Sequence, residues 1–121
     1  MSRLLASFGF ALTGLRYAFR TEANFRIHTI ISLAVIVIGL GMQLEPIEWA
    51  VLIVTIMIVL AAELMNTALE ATLDRVGVEH HPLAKVAKDT AAGAVLISAG
   101  GAVLVGLLIL GPHLWTIMTR R

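Results

Sequence analysis

The chain has no cysteine. That excludes disulfides, thiolate metal sites and cysteine nucleophiles, and it removes the residue from which a redox compartment is read. Charge is scarce as well: Asp, Glu, Lys and Arg make up 14% of 121 residues, and the net charge is only +1. That net charge argues neither for nor against nucleic acid; no nucleic-acid partner is expected. Aromatics are 6% and prolines number three. The charges that exist are clustered. None lies in residues 27–44, 49–62 or 90–119. The N-terminus does not fit a secretory signal peptide, because its apolar stretch is short and interrupted and no small-x-small cleavage site follows.

What remains is apolar. Hydrophobic residues are 59% of the chain and the mean hydropathy is +0.92. One domain is expected over residues 1–121. The uncharged runs predict three transmembrane helices. The first covers residues 27–44, or ~27 Å at 1.5 Å per residue, close to the ~30 Å of a bilayer core. The second begins near Ile47, meets Glu63 after nearly crossing, and continues to about residue 73 as a cytoplasmic extension. The third covers residues 90–110 and is expected to stop at Gly111-Pro112. Pro46 is expected to end the first span, with Trp49 and Trp115 as interface anchors. Ahead of the spans, residues 2–21 read as an amphipathic helix. Leu4, Leu5, Phe8, Leu12, Leu15 and Phe19 recur at three- and four-residue spacing, which suits a membrane surface or an ordinary packed helix. The fold class is therefore an all-α membrane protein with one surface helix and three spans.

Between these elements lie a polar hinge at residues 21–26 and a loop at residues 76–83. A short basic helix at residues 84–89 carries Lys85 and Lys88. Within the third span, Ala94, Ser98, Ala102 and Gly106 recur every four residues, a stripe that lets another helix approach closely. The basic residues set the orientation. Arg3, Arg16, Arg20, Arg26, Arg75, Lys85 and Lys88 lie in the N-terminal segment and the second loop; the first loop has none. The positive-inside rule puts those segments in the cytoplasm, with Arg120 and Arg121 outside.

The chemically loaded stretch runs from Glu63 to Asp74. A helix turns 100° per residue, so Glu63, Asn66, Thr67, Glu70 and Asp74 share one face. Three carboxylates and an amide growing out of a membrane helix are costly unless something uses them. The first span begins just after Arg26, the second reaches Glu63 on nearly crossing, and the third begins just after Asp89. All three boundaries fall at the cytoplasmic membrane surface. Glu22, Glu63, Asn66, Glu70, Lys88 and Asp89 can therefore converge at one level, facing water on one side and lipid headgroups on the other.

Carboxylates with a lysine suit phosphoryl transfer. Mg²⁺ takes oxygen ligands and usually binds one or two carboxylates plus substrate phosphates. Transfer is largely positioning and charge neutralisation, with one base orienting the nucleophile. Glu63 lies deepest and is placed to act on a hydroxyl. No Walker A pattern and no kinase-type Gly-rich loop is present. From spacing alone, a kinase, a small transporter or proton channel, and a non-enzymatic scaffold all remain open. A transporter prefers a carboxylate nearer mid-bilayer. Hydrogen-bond glue between helices explains a lone Asn or Thr but not the whole stripe. His80 and His81 read as solvated loop residues, and His28 as a packing or interfacial residue.

Three stretches carry a family resemblance. They are Glu63-Leu64-Met65-Asn66-Thr67-Ala68-Leu69-Glu70 with Asp74, the run from His81-Pro82-Leu83 through Lys88-Asp89 to Leu96, and Gly14 to Arg26. Together they resemble the small integral-membrane diacylglycerol and undecaprenol kinases of bacteria, over nearly the whole chain. The resemblance implies a homotrimer in the bacterial inner membrane, with cytoplasmic active sites shared between neighbouring subunits. It implies MgATP as donor and a membrane lipid alcohol as acceptor. Matched by position, Glu63 would be the general base and Asn66 would order the site. Glu22 and Glu70 would hold the metal and its nucleotide, Lys88 would bind ATP phosphates, and Asp89 would position the nucleotide or Lys88. Arg3 and Arg16 would lie nearby. The run Ala87-Lys88-Asp89-Thr90-Ala91-Ala92-Gly93, with His81-Pro82-Leu83, is closer to the undecaprenol kinase branch. Diacylglycerol is the alternative acceptor.

Overall fold

A computed structural model describes residues 2–77 and 80–120. Four helices follow one another: α1 Ser2–Thr21, α2 Ala23–Leu40, α3 Pro46–Val76 and α4 Pro82–Thr119. No strand occurs among the described residues. By length and hydropathy α2, α3 and α4 can each cross a membrane. α1 is the amphipathic helix expected at residues 2–21, and one extended residue, Glu22, separates it from α2. The hinge is thus narrower than residues 21–26.

The break is held by Arg26, whose Nη1 donates to the carbonyl oxygens of Phe19 (2.9 Å) and Arg20 (3.0 Å). These are among the last carbonyls of α1, which have no partner in their own helix. A cation at that end also opposes the helix dipole. The elbow that carries Glu22 is therefore locked from α2.

Three expectations need correction. The first span occupies Ala23–Leu40 rather than 27–44. Nothing in Ala23–Arg26 breaks a helix, and the chain turns at Gly41–Gln43, where Gln43 adopts φ +54°. Pro46 starts α3 rather than ending α2. It sits at the first helical position, where its missing N–H costs nothing. The Glu45 N–H donates to Glu48 Oε2 (2.9 Å), which ties down that end.

The third correction is the largest. The third span does not stop at Gly111-Pro112, and residues 84–89 are not a separate helix. One 38-residue helix runs through both. Pro112 removes one hydrogen bond and costs about 3 kcal/mol in water. The helix continues because only that one bond is lost and those on either side are kept. Beyond the proline, the Thr116 hydroxyl donates to the Pro112 carbonyl (2.9 Å). His113 Nε2 lies 3.1 Å from both Glu48 oxygens, tying α4 to the start of α3.

Gly77 ends α3 in the left-handed conformation, φ +78°, which glycine adopts without steric cost. The rest of the expected loop is only partly visible, since Val78 and Glu79 lie outside the described residues. His81 opens α4, its Nδ1 accepting from the Leu83 N–H (3.1 Å).

The packed core lies at the end away from Glu63, around the turn between α2 and α3. Met42, Leu44 and Leu52 are buried there against Val35, Trp49, Val105, Ile109 and Leu110. Trp49 is no simple interface anchor: its ring lies over Gly39, where a Cβ would meet Cη2 at 2.9 Å. Trp115 is exposed. α3 and α4 pack most extensively, and α1 touches both α2 and α3. Most large side chains elsewhere, such as Leu96, Ile97 and Leu108, are exposed. That suits a chain whose solvent is lipid, where apolar burial does not drive helices together.

Candidate functional site

The polar stripe of α3 grades from buried to exposed along one face. Glu63 is 3% exposed and Thr67 7%. Asn66 and Glu70 are half-buried and Asp74 is exposed. The Thr67 hydroxyl donates to the Glu63 carbonyl (2.9 Å), satisfying itself within the helix. Asn66 Nδ2 donates to Glu70 Oε1 (3.4 Å), one turn further on. Two buried oxygens have no hydrogen-bond partner among the described residues: Glu63 Oε1 and Asn66 Oδ1. Buried polar atoms are nearly always paired, so unpaired ones mark a place where something else binds.

Glu22 and Glu70 both act electrostatically on Glu63. The elbow between α1 and α2 thus brings the first of the expected carboxylates to the stripe. Asn66 Oδ1 adds an uncharged oxygen to the same face. Among the described residues no group of three or more His, Cys, Asp or Glu side chains is arranged to hold a metal ion.

Lys88 Nζ lies 2.9 Å from Asp74 Oδ1, joining the start of α4 to the end of α3. Asp89 pairs with Lys85 one turn earlier at 2.6 Å, the ordinary i,i+4 contact of a helix surface. Arg3 and Arg16 lie on exposed parts of α1 and make no ion pair among the described residues. The chain therefore gathers Glu22, Glu63, Asn66 and Glu70, sets Lys88 and Asp74 beside them as a second pair, and leaves Arg3 and Arg16 uncommitted.

One neighbour was invisible in the sequence. His28 Nε2 lies 3.3 Å from Glu63 Oε1. His28 also closes one end of an apolar cavity of about 380 Å³ between α2, α3 and α4, which continues past Val35, Ala102 and Gly106 to Leu114. A second, shallower cavity of about 510 Å³ lies where α1 crosses α3, between Gly14 and Ala18 on one side and Thr67 and Ala71 on the other.

Against known proteins, residues 9–110 match the family model described as prokaryotic diacylglycerol kinase. The chain is 51% identical over 116 residues to a diacylglycerol kinase of Synechocystis, covering 95% of this chain and 66% of that protein's length. It is 42% identical to the undecaprenol kinase of Bacillus subtilis, over 94% of this chain and 93% of that protein. It is 36% identical to a diacylglycerol kinase of Escherichia coli, over 93% and 92%. Fold, buried carboxylate and relatives together define a membrane-embedded lipid kinase. The chain belongs to the prokaryotic diacylglycerol kinase family.

Proposed function

We propose that the chain phosphorylates the hydroxyl of a membrane lipid alcohol with MgATP, at the cytoplasmic face of the bacterial inner membrane. The observation that carries the reading is the gradient along α3. A buried carboxylate stands at the lipid end, and half-buried and exposed carboxylates stand toward water. Lipid hydroxyl and nucleotide approach such a stripe from opposite ends.

In the reaction the hydroxyl oxygen forms a bond to the γ-phosphorus. The bond from that phosphorus to the bridging oxygen breaks, and ADP leaves with the electron pair. The hydroxyl proton passes to Glu63, which has an unpaired oxygen to accept it and which water barely reaches. Asn66 holds Glu70 in place through its amide. Glu22 and Glu70 would hold Mg²⁺, which neutralises phosphate charge when bound. Lys88 would bind nucleotide phosphates. In the homotrimer that the resemblance implies, such sites would be shared between neighbouring subunits.

The residues at 81–93 favour undecaprenol as acceptor. The 51% identity to the Synechocystis diacylglycerol kinase favours diacylglycerol as a second reading. Purified protein in vesicles holding both alcohols, given labelled ATP, decides. Label in undecaprenyl phosphate supports the first and label in phosphatidic acid the second. A protein with no labelled lipid at any Mg²⁺ concentration sinks both.

A further inference from the structure

Glu63 is almost fully buried, yet among the described residues neither Lys nor Arg stands within ion-pair distance of it. Taking an unpaired carboxylate out of water is costly. The one group in contact that can carry a positive charge is His28, 3.3 Å away on α2. The contact lacks hydrogen-bond alignment, since Glu63 Oε1 has no hydrogen-bond partner. The link is therefore one of charge, and the oxygen stays open to accept a proton.

We propose that His28 is a positioning residue for the proton acceptor. Its imidazolium balances the buried Glu63 charge, so that the carboxylate is ionised when the lipid hydroxyl arrives. The inference rests on the reading of Glu63 as the base. Other charges around the pair are accounted for. Glu22 precedes α2, Glu70 lies on α3, and the Arg26 guanidinium is turned back onto α1. Across the cavity α4 presents Ala99, Ala102 and Val103, which carry no charge. An exposed histidine would do this poorly, because water screens it; His28 is 23% exposed and screened less.

The test is the pH–rate profile of lipid phosphorylation in wild type, His28→Gln and His28→Lys. An opposite charge within ~4–6 Å shifts a carboxylate's titration by about 1–3 units. Loss of that charge in His28→Gln moves the acidic limb to higher pH by about one unit or more, while KM for ATP stays unchanged. His28→Lys keeps a fixed charge and keeps the limb at or below its wild-type position. A second measurement needs no activity. The infrared band of protonated carboxyl that disappears in Glu63→Gln should persist to higher pH in His28→Gln. An unmoved limb, or an unmoved band where the variant is inactive, overturns the role of His28 and leaves Glu63 as base. Full activity in Glu63→Gln overturns the base itself.

Discussion

Lys88 on α4 and Asp74 on α3 meet at 2.9 Å, 14 residues apart in the chain. Lys88 is one-third exposed and Asp74 more than half, so the pair contributes roughly 0–1 kcal/mol to stability. If Lys88 binds nucleotide phosphate, Asp74 competes for it. Asp74→Asn should leave the melting temperature nearly unchanged and lower KM for ATP, and Lys88→Met should raise it. Steady-state kinetics at saturating lipid measures both; a KM unmoved in either variant removes Lys88 from the nucleotide site.

Glu63→Gln keeps the shape of the side chain and removes its basicity. Lipid phosphorylation should fall by at least ~10²-fold, the usual contribution of a positioned base. Helicity by circular dichroism should be retained, since the amide is easier to bury than the carboxylate. Asp74→Asn, three turns toward water, should not produce a comparable loss in kcat. Equal losses at the two positions would contradict the depth ordering.

Glu22→Gln and Glu70→Gln test the metal role. Each removes one anionic oxygen donor, so half-maximal activity should need more Mg²⁺. Magnesium titrations at fixed free ATP give the answer, and superimposable curves would exclude both residues as ligands.

Gly39 is where α2 approaches Trp49 and Leu44 most closely. An added Cβ would stand 2.9 Å from Trp49 Cη2 and 3.0 Å from Leu44 Cδ1, and the indole is rigid. Gly39→Ala should destabilise this core by about 1–3 kcal/mol, the usual cost of overpacking. Trp49→Phe in the same chain should recover part of it. Thermal unfolding in detergent reports both; a neutral Gly39→Ala would mean that the two helices separate freely.

Much of this was legible in the sequence because it is carried by runs and periods. Three uncharged stretches announce three membrane helices, and i,i+3 and i,i+4 spacing puts Glu63, Asn66 and Glu70 on one face. Pro112 misled because one lost hydrogen bond does not outweigh those that the continued helix keeps. The contacts of His28 with Glu63 and of Glu48 with His113 span 35 and 65 residues. No spacing rule links such pairs, and they follow only from where α2 and α4 settle against α3.

The unbroken α4 has a mechanical consequence. At 38 residues it is ~57 Å long, nearly twice the ~30 Å hydrocarbon thickness. Lys88 sits near one end, and His113, held by Glu48, sits near the other. A rod of that length cannot tilt at one leaflet without swinging its far end. A thinner or thicker bilayer therefore acts on it as on a lever, with its load at the end that carries Lys88.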